Sequence, residues 1–212
     1  TMVLTLAQGQ TIEGDSAVTV SAVLRNPSAM QNPLLPEISM AGSFSVPPYR
    51  TSGAGVLDAS TPAAFSERLN SEATTVQGAL NQLAFSLRPN APLFAGDTVF
   101  IAGLTGSGTP TSNLPVSGAD ADVFGSSGAW TLESGTLKLT VAPSKTLSDA
   151  KISEVRFVLK NPTEKQTAVV PSISANGAVN IPWAPMRFPV LGAGYLLTVT
   201  AFASESTTVQ TA

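Results

Sequence analysis

The chain has 212 residues, a net charge of −3 and only 12% charged residues, with neither cysteine nor histidine. These values exclude a disulfide framework, a thiolate metal site or nucleophile and the commonest general base, and they leave no basic stripe for nucleic acid. The chain is long enough to bury a real core, and because its charged share is about half the usual one, Ser, Thr, Ala, Gly and Pro fill the difference, as suits β-structure with neutral hydroxylated surfaces.

In chain order, residues 1–6 alternate apolar and polar side chains, Gln8-Gly9-Gln10 and Gly14-Asp15 interrupt, and residues 17–24 alternate again, predicting strand, loop, strand. Asn26-Pro27 ends that pairing, because proline lacks the ladder donor and steers its neighbour away from helix. Another strand is expected within residues 34–46, closed by Pro47-Pro48. Residues 49–62 turn to Gly, Ser, Thr and Pro and mark a junction. In residues 63–82, Phe65, Leu69, Val76 and Leu80 stand at spacings a helix could use. Strand followed by turn is preferred, because Ser71-Glu72-Ala73-Thr74-Thr75-Val76-Gln77 returns as Ser204-Glu205-Ser206-Thr207-Thr208-Val209-Gln210 beside the strand-like run 195–202.

Residues 83–87 and 98–104 read as strands around a loop through Pro89, Pro92 and Gly96. Leu83-Ala84-Phe85-Ser86-Leu87-Arg88-Pro89 lines up with Leu137-Lys138-Leu139-Thr140-Val141-Ala142-Pro143, and Leu93 with Leu147, which suggests two related hairpins in facing sheets of a sandwich. Residues 105–118 read as a long loop, and residues 120–131 as a short strand, a Gly-Ser-Ser-Gly turn and Trp130. Strands over 152–159, 169–174 and 178–181 complete this unit.

A larger repeat overrides these local patterns. Val23-Leu24-Arg25-Asn26-Pro27 is written again as Val158-Leu159-Lys160-Asn161-Pro162, and at one offset of roughly 135 residues the match runs without a gap over residues 4–47 against 139–182, about a third of it identical. Pro36-Glu37-Ile38-Ser39 meets Pro171-Ser172-Ile173-Ser174, and Gly42 and Pro47 meet Gly177 and Pro182. A domain-sized period in a chain too short for two copies predicts a window onto a tandem array: residues 1–58 the C-terminal part of one β-sandwich repeat, 59–195 a complete repeat, and 196–212 the first strand of the next. Thr1 is read as no native start, so any export signal or anchor is expected outside this window.

The run 137–162, together with Ala95-Gly96-Asp97-Thr98-Val99-Phe100-Ile101-Ala102-Gly103-Leu104-Thr105-Gly106, resembles the tandem immunoglobulin-like repeats of very large surface and extracellular proteins, especially those of unicellular algae and other protists. The resemblance covers nearly the whole chain. It implies an all-β fold of tandem immunoglobulin-like antiparallel β-sandwiches, and a place in a cell-surface coat, an adhesive stalk or a flagellar hair.

Reacting groups are scarce. Asp120 and Asp122, with Asp97 and Asp149, are the only carboxylates suggestive of calcium, but no glutamate closes a loop around them, and solvent-exposed loop aspartates are the preferred reading. Gly103-Leu104-Thr105-Gly106-Ser107-Gly108 lacks the lysine and helix of a phosphate cradle and reads as a flexible loop. Ser144-Lys145 is adjacent rather than spaced for nucleophilic catalysis, and Glu67, Glu72, Glu133, Glu154 and Glu164 read as surface charges. Trp130, Trp183, Tyr49 and Tyr195 could stack on sugars, yet Trp130 resembles a sandwich core residue and Trp183 sits in a proline-rich junction. The Asn-Pro pairs read as strand terminators.

The expectation is therefore a structural, non-enzymatic protein outside the cell, with no cofactor and no resident metal. Trp183, Phe188, Val190, Leu191 and Tyr195 are expected to contact neighbouring units. The partners expected are copies or repeats of the same protein and possible glycans, with neither nucleic acid nor membrane insertion in this segment. A glycan- or protein-binding adhesion module is the alternative, with a viral capsid or fibre protein behind it.

Overall fold

The computed structural model of the chain describes residues 1–27, 31–43 and 45–193. It is nearly all β and antiparallel throughout. The chain divides into two compact units, Thr1–Thr61 and a second from Pro62 onward. The segment expected to begin a further repeat, 196–212, lies outside the described residues.

Among its described residues the first unit holds one hairpin, β1 (Glu37–Met40) and β2 (Val46–Arg50), with Glu37 opposite Arg50, Ile38 opposite Tyr49 and Met40 opposite Val46. The strands expected over residues 1–6 and 17–24 are not formed, and those residues are exposed. Pro47-Pro48 does not end a strand but lies inside β2.

The second unit opens with β3 (Phe65–Glu72) and β4 (Leu80–Pro89), the strand-and-turn solution preferred over helix for residues 63–82. It continues with β5 (Leu93–Phe94), β6 (Thr98–Ala102), β7 (Ser112–Pro115), a single 3-10 turn at Ala121–Phe124, and β8 (Ser127–Thr131). The remaining strands are β9 (Thr136–Thr140), β10 (Thr146–Leu147), β11 (Ser153–Lys160), β12 (Ser172–Asn176) and β13 (Ile181–Pro185). Three departures from expectation stand out. Residues 105–118 are not all loop, since β7 pairs with β8 there. The short strand expected after Asp120 is the 3-10 turn, ended by Gly125 in the left-handed region. The last strand begins at Ile181, so Trp183 sits on an edge strand and not in a junction.

One sheet has the order β11-β4-β3 and the other β13-β12-β6-β9-β8-β7. With β3, β4, β6, β11, β12 and β13 in the places of strands A, B, C, E, F and G, the neighbours are A-B-E and C-F-G, as in an immunoglobulin-like sandwich. Period-two alternation drives the fold. Leu83, Phe85 and Leu87 of β4 and Val155, Phe157 and Leu159 of β11 point inward, and Phe85 stacks on Phe157 at 5.3 Å between ring centroids. The facing sheet supplies Val99, Ile101, Trp130, Leu137, Leu139 and Ile173 to the same core. The hairpins of the inner echo do lie in different sheets, and they meet: β5 pairs with β10, setting Leu93 opposite Leu147. Gly118, at φ +107°, lets the chain cross beside β11, where a Cβ would stand 2.7 Å from the Glu154 carbonyl oxygen.

The larger repeat survives in detail at the hairpin. β12 and β13 reproduce β1 and β2, with Ser172 opposite Pro185, Ile173 opposite Ala184 and Ala175 opposite Ile181, and a register shift at the same place. Thr51 N donates to Pro36 O at 2.9 Å, and Met186 N to Pro171 O at 2.8 Å. Gln31 Nε2 donates to Leu57 O and Gln166 Nε2 to Leu191 O, and both leucines adopt the left-handed backbone, at φ 57° and 56°. What differs is the company. β12 lies between β13 and β6, with Ile173 and Ala175 buried, whereas among the described residues β1 pairs with β2 alone and is exposed along its length.

Candidate functional site

The six-stranded sheet ends in the antiparallel pair β12–β13, and its outer surface there forms a shallow groove of about 420 Å³, lined by Phe100, Ser174, Asn176, Asn180, Ile181, Pro182 and Trp183. β6, β12 and β13 lie side by side, so Phe100 and Trp183 reach the same face, their rings tilted at 54° with centroids 6.4 Å apart. Trp183 is 55% exposed. Asn180 Oδ1 accepts from Gly177 N at 3.3 Å, which ties down the turn between the two strands. The lining carries aromatic faces, amides and a hydroxyl but no charged side chain, so its chemistry suits a neutral hydroxylated or peptidic ligand.

The residues expected to contact a neighbouring unit are not brought together as one patch. Trp183 and Phe188 are exposed. Val190 and Leu191 are fully buried in the core of the second unit, because the Val169–Val190 bridge turns them inward, so they are not free to face a neighbour. Tyr195 lies outside the described residues. Trp130 is a core residue, as its alternating strand implied, and its indole Nε1 donates to Thr109 O at 2.9 Å.

The aspartates do structural work. Asp120 is buried, not solvent-exposed: Lys151 Nζ donates to its Oδ1, and Glu154 N donates to Oδ2 at 3.1 Å. The Asp120 carboxylate, through that hydrogen bond and its charge, raises the Lys151 ammonium above its ordinary value. Asp122 is exposed and pairs with Lys145 at 2.6 Å, a hydrogen bond that holds its carboxyl below the ordinary value. Asp97 is buried too, its two oxygens accepting from Phe94 N and Ala178 N. Each of these three carboxylates is committed to a lysine or to backbone donors, and among the described residues no group of three or more acidic side chains could hold a metal ion.

The loop at residues 103–108 is not loose. Gly108 N and Ser107 Oγ both donate to Lys160 O at 3.0 Å, and Gln166 Nε2 donates to Thr105 O.

Sequence reasoning missed a buried polar network. Asn161 is fully buried, and its Nδ2 donates to Thr74 O at 3.0 Å and Val76 O at 2.9 Å. Its Oδ1 accepts from Asn81 Nδ2, which also donates to Glu72 Oε2. Glu72 Oε2 accepts in turn from Leu191 N at 2.9 Å, so this glutamate is no mere surface charge. The signal was present: the repeated Asn-Pro pair and the repeated Ser-Glu-x-Thr-Thr-Val-Gln segment are two halves of one clasp.

No protein-family model matches the chain, and no curated protein is significantly similar to it.

Proposed function

We propose that this chain is a structural repeat segment of an extracellular filament, coat or stalk, acting through packing of β-sandwich modules and without catalysis. The return of the β1–β2 hairpin as β12–β13, with the same cross-strand partners and the same left-handed leucine, supports this reading more than any other observation. A polypeptide that spells one hairpin twice at domain-sized spacing is assembled from a repeated module, and stacked modules make length. Extension would have to shear the eight-residue β4–β11 ladder. The extracellular placement rests on the resemblance to tandem immunoglobulin-like repeats of surface proteins. The partners are neighbouring copies or repeats of the same protein. Electron microscopy of the native material is the test: an axial repeat of module size is expected, and dispersed monomers at every concentration would sink the proposal.

The groove beside Trp183 favours one second reading, an adhesion module for a neutral glycan or peptide. Binding on a glycan array that Trp183→Ala abolishes would support it. Silence across the array would remove the sugar version.

A further inference from the structure

The first unit holds a strand edge that its twin in the second unit shows how to fill. β12 carries the β13 hairpin on one side and β6 on the other, with Ser172 opposite Ala102, Ile173 opposite Ile101, Ser174 opposite Phe100 and Ala175 opposite Val99. β1 carries the equivalent β2 hairpin, and among the described residues no strand pairs with its far side. Pro36 O accepts from Thr51, so alternation directs residues 36 and 38 toward β2 and residues 37 and 39 toward the open side. Ile38 and Met40 are exposed where Ile173 and Ala175 are buried.

Several other strand edges among the described residues are guarded. β13, at the rim of its sheet, carries Pro182 and Pro185, and β2 carries Pro47 and Pro48, residues that cannot donate to a further strand. β7, at the opposite rim, ends in Pro115, and β3 presents Glu67 and Arg68. β1 reads Glu-Ile-Ser-Met, without proline or lysine, and Glu37 is already paired with Arg50 of β2.

We propose that the open edge of β1 is a docking edge for an extended polypeptide strand of the β6 type, received antiparallel. Ile38 takes the strand residue equivalent to Ile101, and Met40 the one equivalent to Val99. The hairpin ladder and the left-handed Leu57 are formed with that edge unpaired, so its outward backbone groups are in strand geometry. The inference goes beyond the scaffold proposal and does not need it, since strand addition at β1 can occur in a protein that forms no filament.

The experiment uses the full 212-residue chain with a synthetic peptide of residues 96–104 as the probe, a scrambled peptide as control, and hydrogen exchange read by mass spectrometry. Saturating peptide is expected to slow exchange over residues 37–40 by about tenfold or more, and the scrambled peptide to leave it unchanged. Ser39→Pro, which removes an outward donor, is expected to abolish the effect. Ile38→Asp, which leaves the backbone donors in place, is expected to weaken peptide binding about tenfold or more. Four results would overturn the proposal: no slowing at millimolar peptide, slowing confined to residues 172–176, slowing that survives both substitutions, or protection of β1 that rises with protein concentration and ignores the peptide. The last would assign the edge to a second copy.

Discussion

Asn161 and Asn26 hold the same place in the repeat and face different tasks. Asn161 satisfies two loop carbonyls and accepts from Asn81 in a fully buried site, whereas Asn26 makes one exposed bond, from Nδ2 to Asp58 O at 3.1 Å. Truncating a buried amide leaves its partners unpaired, so Asn161→Ala is expected to cost about 2–4 kcal/mol in urea unfolding, and Asn26→Ala less than about 0.5 kcal/mol. Acid titration reads the pair Asp122–Lys145. Because Lys145 holds the Asp122 carboxyl below its ordinary 3.8, the pair stabilises the fold above that value and ceases to as pH falls through the lower folded value. The thermal midpoint of the unmodified chain should therefore exceed that of Lys145→Met at neutral pH, with the gap closing below about pH 4. Both groups are exposed, so the gap is small and salt-sensitive.

At the scale of the element, one sequence has two fates. Residues 4–24 and 139–159 share their alternation, yet β9 and β11 are strands and residues 1–27 are not. Leu139 lies opposite Val99 of β6, and Leu159 opposite Asn81 of β4, so each strand has a partner along its length. The first unit contains no counterpart of β4 or β6 among its described residues, and a lone amphipathic strand cannot recover its ordering entropy from water. Leu139→Ala is expected to cost about 2–5 kcal/mol through the cavity it leaves, and Leu4→Ala, at an exposed position, less than about 0.5 kcal/mol. Denaturant midpoints of the two variants measure this difference.

At the scale of the whole molecule, twin hairpins report on their surroundings. β12–β13 is embedded in a six-stranded sheet over a continuous core, while β1–β2 is a two-stranded ribbon with exposed faces. Such ribbons open locally at little cost, so amides of residues 37–40 are expected to exchange about 100-fold faster than those of 172–175 in the free chain. Equal rates in the two would show that the first unit is covered in solution.

Several features were legible before any coordinates. The β class, the strand preference over residues 63–82, the echo of two hairpins in different sheets and the core place of Trp130 all follow from local pattern, whereas the pairing of Leu93 with Leu147 does not. Alternation and turn residues report which face a side chain prefers, and that preference is written in the chain itself. Only the tertiary structure decided which alternating segments become strands, that Asp97 and Asp120 are buried acceptors, that Val190 and Leu191 turn inward, and that Asn161 clasps the loop at Thr74 and Val76. Each of those outcomes depends on a partner far away in sequence, and a strand's appetite for a neighbour does not say whether one arrives.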